Sequence, residues 1–245
     1  MSVDIAYLRI KRLIGCNEEC FLCSLEDELE NKYIDTYLSE LVMDASSRER
    51  IIKSRGFCNH HYYKLLIAAS KPTSPDGHGV ALINESIVEK FIQDLRKQKS
   101  RGLDDPHKLF SPGSKCPACV HLDEFARKYA EKVVELLSSS NEEFLELLKE
   151  SKGFCMPHLI TLLGVALEVA PDKMEQIAET LIEVEEKNLQ RLSSELAEYV
   201  RRQSYEFSDK DRVAVADVVL RSVEKIAGRR GIKPQKQTQG EDRKR

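Results

Sequence analysis

Two sets of cysteine and histidine residues with nearly the same spacing constrain how this chain of 245 residues can fold. The first set comprises Cys20, Cys23, Cys58 and His61, and the second comprises Cys116, Cys119, Cys155 and His158. Each set is a CxxC pair followed, after thirty-four or thirty-five residues, by the cysteine of a GFCxxH sequence. Three thiolates and one imidazole form a complete tetrahedral ligand set of the kind that zinc takes at structural sites. The sequence therefore predicts two metal sites per chain, one in each repeat.

The matched spacing indicates an internal duplication with a period of ninety-six or ninety-seven residues. Because the connecting lengths agree so well, we expect each GFCxxH sequence to close onto the CxxC pair upstream of it in its own repeat. The alternative for a duplicated fold is an exchanged arrangement, in which Cys20 and Cys23 share an ion with Cys155 and His158. The connecting segment is longer than in a small zinc finger and has the length of two helices that leave and return.

Zinc is the metal that we expect at both sites, two ions per chain, although the same ligand types can hold an iron–sulfur cluster. Buried cysteines without any metal are a further alternative, since cysteine packs readily in protein cores. Disulfides fit less well, because six of the seven cysteines lie in CxxC or CxxH units and a histidine completes each set. The seventh, Cys16, lies four residues before Cys20 and is either a packed small residue or a spare thiol.

Hydrophobic spacing typical of helices runs through most of the chain, and strand alternation is weak, so we predict an all-α protein. Helices are expected after each CxxC pair and after each GFCxxH sequence, with long helices at about 80–98 and 172–203. Asn141 is a candidate N-cap, as is either Ser208 or Asp209 for the closing helix. Gly56 and Gly153 are candidates for the left-handed position that ends a helix. The helix at 172–203 has these candidate buried positions: Ile177, Leu181, Val184, Leu192, Leu196 and Val200. Asn188 and Arg191 interrupt this apolar stripe, which could otherwise form a dimer seam.

These patterns divide the chain into two repeats, 1–103 and 104–205, a closing helix at 206–228 and a basic tail at 229–245. The stretch from Lys225 to the C-terminus carries a net charge of +6, against −3 for the whole chain. A basic tail can hold nucleic acid, but a solvated, disordered end is the interpretation that we favour. We expect no specific nucleic-acid site, and we expect that deleting 229–245 leaves folding and metal content unchanged.

The remaining signals exclude several classes of protein. The sequence contains no run of eighteen apolar residues and no signal-peptide core, so we expect a cytoplasmic protein with reduced thiols and no membrane segment. It also contains no phosphate-binding loop, dinucleotide fingerprint or hydrolase motif. Two sites with four protein ligands each leave no coordination position for a substrate, so an enzyme is the less favoured interpretation.

The repeated CxxC and GFCxxH elements, with a closing helix over about 209–228, resemble an uncharacterised family of bacterial and archaeal proteins described as a domain of unknown function. The resemblance covers about residues 16–228, and the GFCxxH element is its most specific part. It implies an all-helical, metal-binding protein and no established activity. The chain departs from a uniform repeat in having Phe21 and Leu22 where the second CxxC pair encloses Pro117 and Ala118.

We therefore expect a non-enzymatic interaction or scaffold protein that contains two structural zinc sites. Its partner would be another protein or a second copy of the chain, and no small-molecule substrate is identified. The alternatives are a redox switch that releases zinc when its thiolates are oxidised and an iron–sulfur electron carrier.

Overall fold

The structure, a computed structural model, describes residues 4–70, 77–101, 105 and 111–231. Within those residues the fold is helical and contains no strand, which confirms the predicted all-α class. The first half of the chain forms α1 (Ile5–Ile14), α2 (Phe21–Thr36), α3 (Ala45–Lys53), α4 (Asn59–Ala69) and α5 (His78–Arg101). The second half forms α6 (Pro117–Ser138), α7 (Glu142–Glu150), α8 (Met156–Val169), α9 (Met174–Arg201), α10 (Asp209–Val213) and α11 (Asp217–Ala227). A π-helical turn (Tyr37–Leu41) extends α2, and a 3₁₀ turn (Pro171–Lys173) precedes α9. No helix in the described ranges is both long enough and apolar enough to cross a membrane.

Side-chain caps set the start of several helices. The Asn141 side chain accepts a hydrogen bond from the Phe144 amide at 2.9 Å, and Asp44 accepts one from the Ser47 amide at 2.7 Å. Ser208 and Asp211 form a reciprocal capping box at the start of α10. Both predicted caps, Asn141 and Ser208, are therefore confirmed.

Some helix predictions were incomplete. Helix α1 was not predicted, although its sequence is largely apolar. Helix α3 was expected only as the second of two helices between the first CxxC pair and Gly56, without bounds, because its sequence is mostly polar. The closing helix is divided into α10 and α11 by a turn at 214–216. In α9, Ile177, Leu181, Val184 and Leu192 are buried as predicted, but Val200 is 69% exposed because the last turns of α9 extend beyond the core.

The core consists of two clusters of buried side chains. The larger cluster joins α1 and the first half of α2 to α6, α7, α8 and α9, and includes Ile10, Leu25, Val133, Phe154 and Leu181. The smaller cluster joins the end of α2 to α3, α4, α5 and the first turn of α6, and includes Tyr37, Ile51, Leu65, Ile83 and Ala118. Residues from both halves of the sequence therefore contribute to each cluster.

Helices α2 and α6 connect the two clusters and run in opposite directions. Helix α2 begins in the larger cluster with Leu22 and ends in the smaller one with Ile34. Helix α6 begins in the smaller cluster with Ala118 and ends in the larger one with Leu137. The N-termini of α2 and α6 therefore lie at opposite ends of this two-helix unit. Each of these N-termini carries one CxxC sequence.

Candidate metal centres

The eight predicted ligand residues converge into two groups, but the pairing differs from the one that we expected. Site 1 consists of Cys20, Cys23, Cys155 and His158, and site 2 consists of Cys58, His61, Cys116 and Cys119. Within each group, ligand atoms lie within 4.8 Å of one another. Each CxxC pair therefore meets the GFCxxH sequence of the other half, so the within-repeat pairing was wrong and the exchanged alternative is the one observed.

The prediction relied on the nearly equal lengths of the segments that join each CxxC pair to the next GFCxxH sequence. Those lengths are compatible with either pairing, so they could not decide between the two. What decides the pairing is the packing of whole helices: α6 packs against α8 and α2 packs against α4, in each case with the two N-termini at opposite ends of the pair. The start of α8 therefore lies beside the start of α2, and the start of α4 lies beside the start of α6. Both sites join the first half of the chain to the second.

In site 1 the histidine presents Nδ1 to the three sulfurs. The His158 Nδ1 lies 3.0 Å from the Cys155 sulfur, 3.4 Å from that of Cys20 and 3.5 Å from that of Cys23. The sulfurs of Cys23 and Cys155 are 3.5 Å apart. All three cysteines of this site are buried.

Site 2 has the same arrangement with greater exposure. The His61 Nδ1 lies 3.1 Å from the Cys58 sulfur and 3.5 Å from each sulfur of Cys116 and Cys119. The Cys58 and Cys119 sulfurs are 3.8 Å apart. The three cysteines are partly exposed, whereas His61 is buried.

These separations fit one metal ion at the centre of each group. Zinc–sulfur bonds of about 2.3 Å and zinc–nitrogen bonds of about 2.0–2.1 Å place tetrahedral sulfurs about 3.8 Å apart, and a sulfur and a nitrogen about 3.5 Å apart. The observed sulfur–sulfur distances of 3.5 and 3.8 Å and most sulfur–nitrogen distances agree with that geometry. The donors present therefore fit a single tetrahedral ion in each site.

Each half-site lies at the N-terminus of a helix. Four helices begin directly after a ligand cysteine at the N-cap position: α2 after Cys20, α4 after Cys58, α6 after Cys116 and α8 after Cys155. None of these caps is closed by a side-chain hydrogen bond, in contrast to those of α3 and α7. The positive end of the helix dipole and the free amides favour negative charge on the thiolates. Each site receives this contribution from two helices.

Two glutamates on α2 lie beside the outer ring nitrogens of the two cluster histidines, and sequence reasoning missed both. Glu26 Oε1 lies 3.5 Å from the outer ring nitrogen, Nε2, of His158, and Glu30 Oε1 lies 3.2 Å from that of His61. A carboxylate on the non-ligating nitrogen fixes the tautomer and orients the ring. Four residues correspond to about one helical turn, or about 6 Å, so one helix serves both sites. The signal in the sequence was two glutamates one turn apart after a CxxC pair, and it is weak because solvated glutamates are common on helices.

Glu30 is the centre of a wider polar cluster with His60, His61 and Lys64. Its carboxylate also lies 2.6 Å from the His60 Nε2 and pairs with the Lys64 ammonium. Burial opposes its ionisation, but the bonds with His61 and Lys64 lower the pKa of Glu30 to about 2. His60 therefore serves as a hydrogen-bond partner of Glu30 and not as a substitute ligand. His121, two residues after Cys119, packs against Tyr33, with ring centroids 4.6 Å apart.

The electrostatic environment of the sulfurs favours a cation among them. Burial opposes ionisation of Cys116, yet the His61 side chain and nearby backbone amides lower its pKa to about 6. Burial and the neighbouring Cys116 and Cys58 sulfurs raise the pKa of Cys119 to about 12. Burial also opposes the charge on His61, but Cys116 and Glu30 raise its pKa to about 10. A positive charge among the sulfurs would therefore favour ionisation of Cys119 beside an ionised Cys116.

A buried ion pair supports the backbone that carries Cys155. Gly153 has a positive φ of 74°, and a Cβ at that position would lie 2.5 Å from the Glu185 carboxylate. The same carboxylate accepts a hydrogen bond from the Phe154 amide at 2.9 Å and pairs with the buried Lys225 ammonium at 2.9 Å. Helices α9 and α11 thus fix the GFC turn of site 1. Gly153 has a positive φ, but it lies beyond the end of α7, whose last residue is Glu150, so the prediction that it caps this helix was wrong. Gly56 occupies the corresponding turn of site 2 with φ 102°, and the left-handed residue directly after the C-cap of α3 is Arg55, with φ 55°.

The residues that interrupt the apolar stripe of α9 face the loop that leads into site 1. The buried Asn188 side chain donates to the Ser151 carbonyl at 3.1 Å. Arg191 donates to the buried Glu19 carboxylate at 2.6 Å, and Arg221 donates to the same carboxylate at 3.0 Å. Asn188 therefore attaches α9 to the loop before Cys155, and Arg191 and Arg221 attach α9 and α11 to the segment just before Cys20.

The first residues of the predicted basic tail contact the rest of the protein. Arg229 pairs with Glu18 at 2.9 Å, and Arg230 pairs with Asp123 at 2.7 Å and donates to the Cys119 carbonyl at 3.4 Å. A Cβ on Gly228 would lie 3.4 Å from the Cys155 sulfur. Residues 228–230 thus lie beside both sites, and residues 232–245 of the predicted tail are outside the described residues.

Comparison with known proteins agrees with the resemblance that the GFCxxH elements indicate. The model of a family of unknown function matches residues 1–233, which is nearly the whole chain. The chain belongs to DUF6062. No curated protein and no solved structure matches it. For this member of DUF6062, the two Cys/His clusters are therefore the features from which a function has to be inferred.

Proposed function

We propose that the chain is a zinc-binding helical protein of the interaction or scaffold type, with two structural Cys3His sites that fasten helix ends from opposite halves of the sequence. The observation that supports this function is the closed ligand set of each site. Three sulfurs and one Nδ1 surround each centre, and the remaining ring nitrogen lies beside a carboxylate. Catalytic zinc sites keep one position for water or substrate, and structural sites fill all four positions with protein atoms.

Zinc is favoured over an iron–sulfur cluster by the closeness of the ligands. In a cluster the thiolates bind different iron atoms, so the distance between those atoms separates the sulfurs further. Here all four ligand atoms of each site lie within 4.8 Å of one another, which suits a single ion. A mixed sulfur and nitrogen tetrahedron is typical of zinc. Elemental analysis of protein purified without air should find two zinc ions per chain and no acid-labile sulfide, and a coloured protein containing sulfide would contradict the proposal.

The exchanged pairing can be tested by zinc stoichiometry in double variants. The Cys20→Ser/Cys155→Ser protein loses two ligands of the same site, so it should retain one zinc ion per chain. The Cys20→Ser/Cys58→Ser protein loses one ligand from each site, so it should have both sites weakened and bind less than one ion. Pairing within each repeat requires the opposite order of metal contents. Cys16→Ser is the matched control, because that exposed thiol belongs to neither cluster and donates to the Arg12 carbonyl at 3.5 Å.

Loss of a ligand should affect structure before any activity. In Cys58→Ser or His158→Ala, an ion whose binding is coupled to folding loses one of four bonds, so two helix ends separate. We expect a lower melting temperature and faster amide exchange at the start of α4 or α8. Cys16→Ser should melt like the wild type. Unchanged thermal stability in Cys58→Ser would refute a structural role for site 2.

The unequal burial of the two sites favours a second function, a thiol redox switch at site 2. Its three cysteines are partly exposed, whereas those of site 1 are buried. With hydrogen peroxide, two thiolates of site 2 would form a disulfide, peroxide would be reduced to water and zinc would be released. A zinc-sensitive dye should therefore report one ion released quickly and the second slowly. Release of both ions at the same rate would contradict a switch confined to site 2.

A further inference from the structure

A cavity of about 710 Å³ lies between α2, α3 and α6, beside site 2, and no role has been assigned to it above. The segment that leads into α6 forms one wall, since Ser114, Lys115 and Pro117 line the cavity on both sides of Cys116. This segment is held against the end of α3 by a hydrogen bond from the Gly113 amide to the Lys53 carbonyl, at 3.0 Å. We call this space the basic cavity. Its volume lies within the range of about 300–1,000 Å³ that is typical of small-molecule sites.

Positive charge predominates in the lining. Five basic residues line the basic cavity: Arg9, Lys32, Arg50, Lys53 and Lys115. Glu124 is the one acidic residue of the lining. Arg9 is bound to Glu28 at 3.1 Å, but the other four cations have no carboxylate within 4.0 Å in the part of the chain that the structure describes. Uncompensated cations around one concave space attract and concentrate anions there.

An aromatic row forms another part of the lining. The Tyr33 and His121 rings lie 4.6 Å apart between centroids, and the His121 and Phe125 rings also lie 4.6 Å apart. Leu29, Leu41 and Val120 add apolar surface to the same space. Three rings in a row suit stacking against another planar group.

We propose that the basic cavity binds a small aromatic anion, a planar ring system that carries a phosphate group. The ring would pack along Tyr33, His121 and Phe125, and the phosphate would be held by cations among Arg50, Lys53 and Lys115. The side chains of these three cations are exposed, so they can bind an anion without prior loss of an internal ion pair. The site is independent of which metal occupies site 2, because none of its binding groups is a metal ligand.

The test is isothermal titration calorimetry on the full, zinc-loaded chain. The two full probes are adenosine 5′-monophosphate and 1-naphthyl phosphate. Each of two partial probes lacks one feature: adenosine lacks the phosphate charge, and pyrophosphate lacks the ring. We expect saturable one-to-one binding of at least one phosphate-bearing aromatic probe. Adenosine and pyrophosphate should each bind at least about tenfold more weakly, since each retains only one of the two types of contact.

Variants separate a built site from a general charge effect. Arg50→Gln/Lys53→Gln should weaken binding of the aromatic phosphate by about tenfold or more, because charge-assisted hydrogen bonds are lost. Lys115→Gln, on the segment that leads into α6, should also weaken binding, and it provides the test if the double variant folds poorly. Lys149→Gln removes an exposed lysine from α7, outside the cavity, and should leave the affinity unchanged.

Three results would overturn the proposal. The first is the absence of saturable binding for both aromatic phosphates. The second is pyrophosphate affinity equal to that of the aromatic probes, which would indicate attraction by charge alone. The third is an equal loss of affinity in Lys149→Gln and in the cavity variants, with melting temperatures that show all of them to be folded.

Discussion

Replacing Lys225 with methionine should destabilise the protein by about 3–5 kcal/mol, the usual cost of removing one partner from a buried ion pair. Lys225 is 0% exposed and its partner Glu185 is 2% exposed. The ammonium also donates to the carbonyls of Lys152, at 2.5 Å, and Glu19, at 3.3 Å. The variant thus leaves a carboxylate charge and two carbonyl groups inside the protein without their donor. Because Glu185 binds the Phe154 amide, the turn that presents Cys155 should also loosen.

The double variant Lys225→Met/Glu185→Gln should recover much of that loss. The glutamine carbonyl can still accept from the Phe154 amide, and no charge remains buried, so the cost should fall to about 1–3 kcal/mol. Lys90→Met is the matched control, since its ion pair with Asp94 spans one turn and the Lys90 side chain is 40% exposed. That change should cost at most about 1 kcal/mol.

Denaturant unfolding in excess zinc measures these differences, and its pH dependence tests the cause. Burial raises the pKa of Glu185 in the wild type, against the opposing effects of the Phe154 amide and Lys225. Without Lys225 the folded-state pKa should rise further, so the native state holds a proton that the unfolded state has released. The stability of Lys225→Met should then fall, relative to the wild type, as pH rises from the unfolded-state pKa through the folded-state pKa. The reasoning fails if Glu185→Gln does not rescue the variant, or if Lys225→Met costs no more than Lys90→Met.

Two further changes test the turns and the C-terminal segment. Gly153→Ala should lower the free energy of unfolding, measured with denaturant, by about 1–3 kcal/mol, because it places a Cβ 2.5 Å from the Glu185 carboxylate at a positive φ. Gly164→Ala is the control and should not destabilise the protein, since a Cβ there meets nothing within 4 Å. Truncation after Gly231 keeps the ion pairs of Arg229 and Arg230 and should preserve the melting temperature and both zinc ions. Truncation after Gly228 removes those pairs and should lower the melting temperature by a few degrees; equal melting of the two truncated chains would show that the pairs contribute nothing.

The basic residues beyond 231 give a separate prediction for nucleic acid. Any binding by the full chain should be weak, independent of sequence and steeply reduced by salt, because it would rest on release of counterions from phosphates. Fluorescence anisotropy with labelled oligonucleotides of different sequence measures this. A sequence-selective complex that persists in the chain truncated after Gly231 would contradict the expectation.

Local features of the fold and site follow from the sequence because they depend on neighbouring residues. Apolar spacing identified most of the helices, and the caps at Asn141 and Ser208 were identified by residue type and position. The eight residues of the two Cys/His clusters were likewise identified as candidate ligands from two CxxC and two CxxH units, since residues three apart in a helical turn face one point. Gly153 was identified because a turn with positive φ favours glycine.

The tertiary structure alone decided how these parts combine. Segments of thirty-four and thirty-five residues are equally compatible with both pairings of the ligands, so the choice rests on long-range packing of α2 against α4 and of α6 against α8. The same packing brings Glu26 and Glu30 to the two histidines, buries Lys225 against Glu185 and gathers cations from three helices and a connecting segment around one cavity. None of these contacts joins neighbours along the chain that a spacing rule could detect. They form because helices with buried apolar faces settle in one arrangement, and polar side chains far apart in sequence then meet.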